Sequence, residues 1–273
     1  MMKDTKILEQ KELEILSDVV WGTIGAHSIS AAAALASYVN AELGLLCHSL
    51  SAVYEAALRQ CGAAHGKCVV TGEVSSPMNS LVAVCIGAKP VFAPVCEACG
   101  MVSPNGLKEM LAQTENVCCV TIDYLPEKAA SYPLDQIAAI CEEYKVPLLI
   151  NAGGAFSASY NGKPLAAYAA AVLYSLEEGS EIYTGKGGFL ATNDSAVHGG
   201  AFAYHNCGRG FGDGASINIG DIVGGDLRVT EWTAMAAEVI LETKQFSSAV
   251  PARLEMMAGQ PVFDSVYAKK MTE

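Results

Sequence analysis

Positive charge is scarce in this sequence: 17 Lys and Arg face 29 Asp and Glu, a formal net charge of -12 at pH 7. That balance excludes nucleic acid and anionic membrane surfaces as partners, because both call for a cationic face. Charge of either sign is thin, at 17% of residues, and aromatics reach only 7%. Hydrophobic residues make up 51% of the 273, enough for one large buried core and too many for a disordered chain. No leucine-rich run of membrane-spanning length occurs. The longest uncharged stretch, Val19–Ala41, carries Gly22, Thr23, His27, Ser28, Ser30, Ser37 and Asn40 on an alanine background. It reads as a glycine-bearing turn followed by a buried helix of small residues, and no membrane partner is expected. The N-terminus, MMKDTKILEQKELEIL, is charged and helical in pattern and lacks the apolar core of a signal peptide. A cytoplasmic protein is expected.

Metal-binding spacing is also missing. Of ten cysteines, only Cys96 and Cys99 in VCEACG form a close pair at ligand spacing, and Cys118 and Cys119 are adjacent. A zinc site needs a second pair or suitably spaced histidines, and neither is present. The cysteines therefore read as free thiols packed in a reducing interior, with no metal. A redox or metal protein built on Cys96, Cys99, Cys118 and Cys119 remains an alternative.

What is present is alternation. Short apolar runs at 43–48, 67–72, 89–95, 117–123, 146–152, 170–176 and 187–193 read as strands. Helical patterns lie between them at Ser51–Cys61, Pro77–Ile86, Asn105–Ala112, Pro133–Tyr144 and Asp194–Asn206. Strands apolar on both faces, separated by helices, predict an α/β fold with a mostly parallel central sheet flanked by helices. In such sheets ligands sit beyond the carboxyl ends of the strands, which directs attention to Ser49–Ser51, Thr71–Ser76, Asn151–Gly154 and Ser175–Gly188. The glycine clusters TGKGG (184–188) and GRGFGDG (208–214) lack the strand–loop–helix setting of a nucleotide-binding loop and read as turns and a mobile loop.

Four stretches in order carry a family likeness: IGAKPVFAPV (86–95), LLINAGGAFSASYNGKPLA (148–166), LYSLEEGSEIYTGKGGFLATND (173–194) and GGDLRVTEWTAMAAEVIL (224–241). From about Ala41 to Ala237 the chain resembles the DegT/DnrJ/EryC1/StrS family, pyridoxal-phosphate-dependent aminotransferases acting on nucleotide-linked keto-sugars. The resemblance implies the large domain of such a transferase. It divides the chain into an N-terminal helical segment (1–40), an aminotransferase-like large domain (41–240) and a short C-terminal remnant (241–273), with the family's small C-terminal domain largely missing.

The same resemblance maps the family's functional positions. The Schiff-base lysine, five residues after a phosphate-contacting serine that matches Ser175, falls on Ser180, and a serine makes no imine. The aspartate that keeps the cofactor's ring nitrogen protonated falls on Asn151, an amide without charge. The phosphate-binding turn falls on Ser49-Leu50-Ser51, with bulky Leu50 in place of glycine. The glutamine beside that aspartate falls on Gly154, and the ring-stacking aromatic on Val74 or Ser76. An asparagine that reaches the partner subunit's phosphate falls on Asp226, followed by a retained Arg228.

These departures imply a non-catalytic homologue with a remodelled pocket at Ser49, Ser51, Asn151, Ser175 and Asp226, no bound cofactor, and a binding or partner-subunit role. Its partner is a second copy or an active aminotransferase paralogue, since the helix Trp232–Leu241 is apolar on more than one face and needs cover. The rival is an enzyme using Lys186, six residues beyond Ser180, as a substitute lysine.

Overall fold

A computed structural model describes residues 5–17, 24–97, 99–209, 223–250 and 253–263. Most of the 208–214 glycine cluster lies outside the described residues. The helices are α1 (Thr5–Ser17), α2 (Ala26–Tyr38), α3 (Leu50–Gln60), α4 (Pro77–Cys85), α5 (Pro104–Gln113), α6 (Leu134–Glu143), α7 (Ser195–His205) and α8 (Glu231–Thr243). The strands are β1 (Leu43–Cys47), β2 (Cys68–Gly72), β3 (Val74–Ser75), β4 (Lys89–Ala93), β5 (Val117–Asp123), β6 (Leu148–Gly153), β7 (Ser159–Tyr160), β8 (Lys163–Pro164), β9 (Ala171–Ser175), β10 (Gly188–Thr192) and β11 (Glu255–Met256).

The seven apolar runs become one sheet, in the order β1-β10-β9-β6-β5-β2-β4. Its β4, β2, β5, β6 and β9 are mutually parallel, while β10 runs antiparallel to both β9 and β1. This is the mostly parallel, helix-covered sheet that the alternation predicts. Side chains along each strand divide between two cores at a period of two. Leu45, Val69, Leu149, Leu173 and Leu190 face the core under α3, α4 and α7. Leu46, Val70, Ile150, Val172 and Phe189 face the core under α2, α5 and α6.

The helices start where the sequence supplies caps. Ser49 accepts from the Ala52 amide at 3.2 Å, Ser103 from Gly106 at 3.3 Å, and Asp194 from Ala196 at 2.7 Å, each filling an orphan donor of a first turn. After β2 the chain crosses through α4 to β4 on one side, then returns through α5 to β5 on the other. The carboxyl ends of β2 and β5 therefore flank a topological switch point, where such sheets open a crevice.

Two regions set apart by the sequence prove continuous with the domain. Ala31 and Leu35 of α2 are fully buried in the main core. The C-terminal residues return to the sheet, with β11 pairing antiparallel to β3 and Phe263 against Phe92. Cover for α8 comes largely from its own chain: α2 lies along it, and Ile7 of α1 packs on Met235 and Val239. Among the described residues no helix is long and apolar enough to cross a membrane.

Candidate functional site

The strand-end segments converge at one edge of the sheet. Ser49 caps α3 and its Oγ lies 3.0 Å from Ser51 Oγ, so two hydroxyls stand at the N-terminal turn of an eleven-residue helix. Gly188, the first residue of β10, is pressed against them: a Cβ there would lie 2.4 Å from the Ser49 carbonyl oxygen. Leu50 does not fill this turn, since its side chain packs on the core beneath α3.

Ser175 ends β9, and its Oγ accepts from the Glu177 amide at 3.1 Å. The chain then turns back so that Ser180 is buried, at 1% exposure. Its Oγ accepts from the Ile182 amide at 3.1 Å, a local turn bond that positions the loop. Gly154 is what lets this loop approach: a Cβ on it would come within 2.4 Å of Ser180 Cα. The glutamine that the resemblance puts at 154 has no room here.

Beside it lies a group that the sequence does not single out. Asp123 ends β5 in direct register with Asn151 on β6. Asn151 Nδ2 donates to Asp123 Oδ1 at 2.7 Å, while the Ser76 amide and Asn79 Nδ2 each donate to Oδ2 at 2.9 Å. Asn79 is held in turn by the Tyr54 hydroxyl, and Asn151 Oδ1 accepts from the Gly153 amide at 3.0 Å. Burial pushes the Asp123 carboxyl up to about 6, although its three hydrogen bonds favour the charged form. Above that pH the switch point carries a buried negative charge.

Next to Asp123 a residual cavity of about 10 Å³, lined by Gly72, Val74, Ser75, Met101, Val102 and Leu254, has room for about one water molecule. Ser75 Oγ is fully buried beside it with no hydrogen-bond partner. Val74 and Ser76, the stand-ins for the stacking aromatic, are respectively half-buried in β3 and committed through the Ser76 amide to Asp123.

Two further expected site residues are exposed. Lys186 Nζ pairs with Glu177 Oε1 at 2.8 Å, and its side chain is 67% exposed. Asp226 is 62% exposed and its Oδ1 sits 2.7 Å from Arg228 Nε, which holds its carboxyl below the usual range. Its segment runs beside the end of β1, where the His48 amide donates to the Leu227 carbonyl at 3.0 Å. Cys96 and Cys99 shape the turn after β4, where the Gly100 amide donates to the Cys96 carbonyl at 2.7 Å. Among the described residues no group of three or more His, Cys, Asp or Glu side chains is placed to hold a metal.

The family's cofactor presents three handles: a phosphate, a ring nitrogen and an aldehyde. The α3 amides with Ser49 and Ser51 suit the first, as a helix N-terminus suits any phosphate. Asn151 suits the second, because Nδ2 keeps one hydrogen beyond that given to Asp123. The third requires an amine, and at the position to which the resemblance assigns it Ser180 offers a buried hydroxyl. The residues at the positions the resemblance assigns thus fit the two non-covalent handles and not the covalent one.

Known proteins bear on this arrangement directly. The chain is 25% identical over 193 residues to a UDP-4-amino-4-deoxy-L-arabinose–oxoglutarate aminotransferase of Shewanella sediminis, covering 70% of this chain and 48% of that one. It is 24% identical over 264 residues to an L-glutamine:2-deoxy-scyllo-inosose aminotransferase of Streptomyces fradiae, covering 90% and 61%. Its fold superposes on 3-amino-5-hydroxybenzoic acid synthase with a TM-score of 0.78 at 22% identity, covering 88% of this chain and 62% of that one. The chain therefore spans about half to three-fifths of the length of these proteins. The expectation that no cofactor is held is overturned by these matches, because this is a family of pyridoxal-phosphate enzymes and membership points to that cofactor. The model of the DegT/DnrJ/EryC1/StrS aminotransferase family matches residues 4–257, nearly the whole chain, and the protein belongs to that family.

Proposed function

We propose that this chain is an aminotransferase-family subunit that holds pyridoxal phosphate without a covalent link and does not complete transamination by itself. The observation that supports the reading is the burial of Ser180, which the resemblance sets at the lysine's position: it is 1% exposed, with its hydroxyl engaged by the Ile182 amide. The bound cofactor supplies an electron sink for moving an amino group onto a keto compound. Around it this chain's residues would bind and orient: the α3 amides with Ser49 and Ser51 hold the phosphate, and Asn151 sets the ring. Lys186 is a poor substitute amine, being paired with Glu177 on an exposed turn.

In this reading the protein acts as a binding or partner subunit, pairing with itself or with a lysine-bearing paralogue. Exposed Asp226, on a segment anchored beside the end of β1, supports that role, because the resemblance aims this segment at a neighbouring subunit's phosphate. The names of the relatives favour a polyhydroxylated keto compound as the ligand class.

Titrating the purified chain with pyridoxal phosphate, then reducing with borohydride and mapping peptides by mass, tests the reading. Saturable binding that dialyses away, with no single lysine labelled, is expected. A stoichiometric adduct on Lys186 would overturn it in favour of a catalytic chain.

A further inference from the structure

We propose that Asp123 is a positioning residue that supplies, from the neighbouring strand and through Asn151, the negative charge that residue 151 itself lacks at the cofactor's ring nitrogen. The inference rests on the proposed non-covalent cofactor binding and adds to it a state of the bound ring.

The placement is specific. Asp123 and Asn151 are register partners at the carboxyl ends of adjacent parallel strands, so their side chains leave the sheet on the same side. The 2.7 Å bond from Asn151 Nδ2 to Asp123 Oδ1 fixes which way the amide points. With Oδ1 of the amide accepting from the Gly153 N–H, one Nδ2 hydrogen and one Oδ1 lone pair remain. The amide alone can meet a ring nitrogen in either state, giving a hydrogen to the bare form or accepting one from the protonated form. A buried charge one side chain away decides between them. An ionised Asp123 favours the positively charged, protonated ring, and its field is weakly screened at 5% exposure.

Asp123 is held for this task from three elements. Ser76 and Asn79 bind it from the start of α4, Asn151 from β6, and Tyr54 of α3 braces Asn79. Among the described residues, the other titratable groups facing it are the buried hydroxyls of Tyr54 and Tyr132, both kept neutral by burial. No cation among the groups that act on Asp123 neutralises it. A carboxylate with no ion pair among the described residues, buried at the switch point, is thus left to act on whatever binds beside Asn151.

The test uses the full chain with pyridoxal phosphate labelled with ¹⁵N in the ring, read by NMR at pH 7.5, where Asp123 is ionised. The nitrogen shift of the bound cofactor is expected at the protonated position in the wild type, and moved toward the unprotonated position in Asp123→Asn. Asn151→Ala, which cuts the relay and leaves Asp123 in place, is expected to move it in the same direction. A bound cofactor whose nitrogen is unprotonated in the wild type overturns the inference and leaves the non-covalent reading standing. So does a nitrogen unchanged in both variants. Absence of saturable binding by the wild type overturns both. Should Asp123→Asn fail to fold, the wild-type spectrum and Asn151→Ala still decide.

Discussion

Glu231, the first residue of α8, caps α2, a helix that begins 205 residues earlier in the chain. Its Oε1 accepts from the Gly25 amide at 3.0 Å and its Oε2 from the His27 amide at 2.9 Å. A carboxylate here satisfies orphan donors and meets the positive end of the helix dipole. Replacing it by alanine is expected to destabilise the fold by about 1–2 kcal/mol, as for the loss of a good N-cap. Urea denaturation measures this. An unchanged midpoint with an unchanged slope would show that water replaces the cap without loss.

Two buried titratable groups oppose each other in acid. Burial raises Asp123 from 3.8 to about 6 and lowers His205 from 6.5 to about 4. Between pH 3.8 and 6 the folded chain keeps a proton on Asp123 that the unfolded chain has released, so acidification stabilises the fold through this group. Between pH 4 and 6.5 the unfolded chain binds a proton on His205 that the folded chain refuses, so acidification destabilises through that one. Each contribution is on the order of 3 kcal/mol over its full window, and in the wild type they nearly cancel. Asp123→Asn is therefore expected to lose stability on going from pH 7 to about 4.5, relative to wild type, and His205→Gln to gain it. Parallel pH profiles for the two variants would contradict this.

The close approach of the 177–181 loop depends on Gly154. A side chain there meets the backbone of Gly179 and Ser180, which cannot swing aside as a side-chain tip can. Gly154→Ala is expected to lower stability by about 1–3 kcal/mol through overpacking. Gly199, in the middle of α7 with open space where its Cβ would be, is the matched control. Gly199→Ala is expected to stabilise by about 0.4–1 kcal/mol. Equal effects at the two glycines would mean that the loop is not packed as described.

The ten cysteines are free thiols of unequal reach. Cys85 and Cys207 are exposed, whereas Cys47 and Cys141 are buried, and burial pushes the Cys141 thiol up to about 12 and that of Cys47 higher. Timed alkylation of the native protein is expected to label Cys85 and Cys207 first and Cys47 and Cys141 last. Denaturation without reductant is expected to expose all ten. A missing pair in that count would reveal a disulfide.

The fold was legible because its signals are local and repeated. Seven apolar runs, each bounded by turns, correspond to the seven strands of the sheet. The site was half legible. Strand ends are predictable, so the segments that hold Ser49, Asn151, Ser175 and Ser180 could be placed, while the resemblance alone singled these residues out within them. Asp123 obeys the same strand-end rule as the last residue of VCCVTID, but a single aspartate after an apolar run reads like any strand terminus. Its significance comes from Asn79 and Asn151, 44 and 28 residues away, and only the register of β5 on β6 brings them together. Cover for α8 was hidden for a similar reason. An apolar helix near the end of a chain suggests a second subunit, whereas here α1 and α2 return to it from the other end.

The central claim is that the cofactor is held and is not linked. Native mass spectrometry of the chain with pyridoxal phosphate, repeated after borohydride treatment and denaturation, reads both halves at once. One cofactor per chain is expected under native conditions, and bare polypeptide after denaturation even when reductant was added first. A cofactor-sized mass that survives denaturation on one defined lysine, or a chain that takes up no cofactor at all, would contradict it.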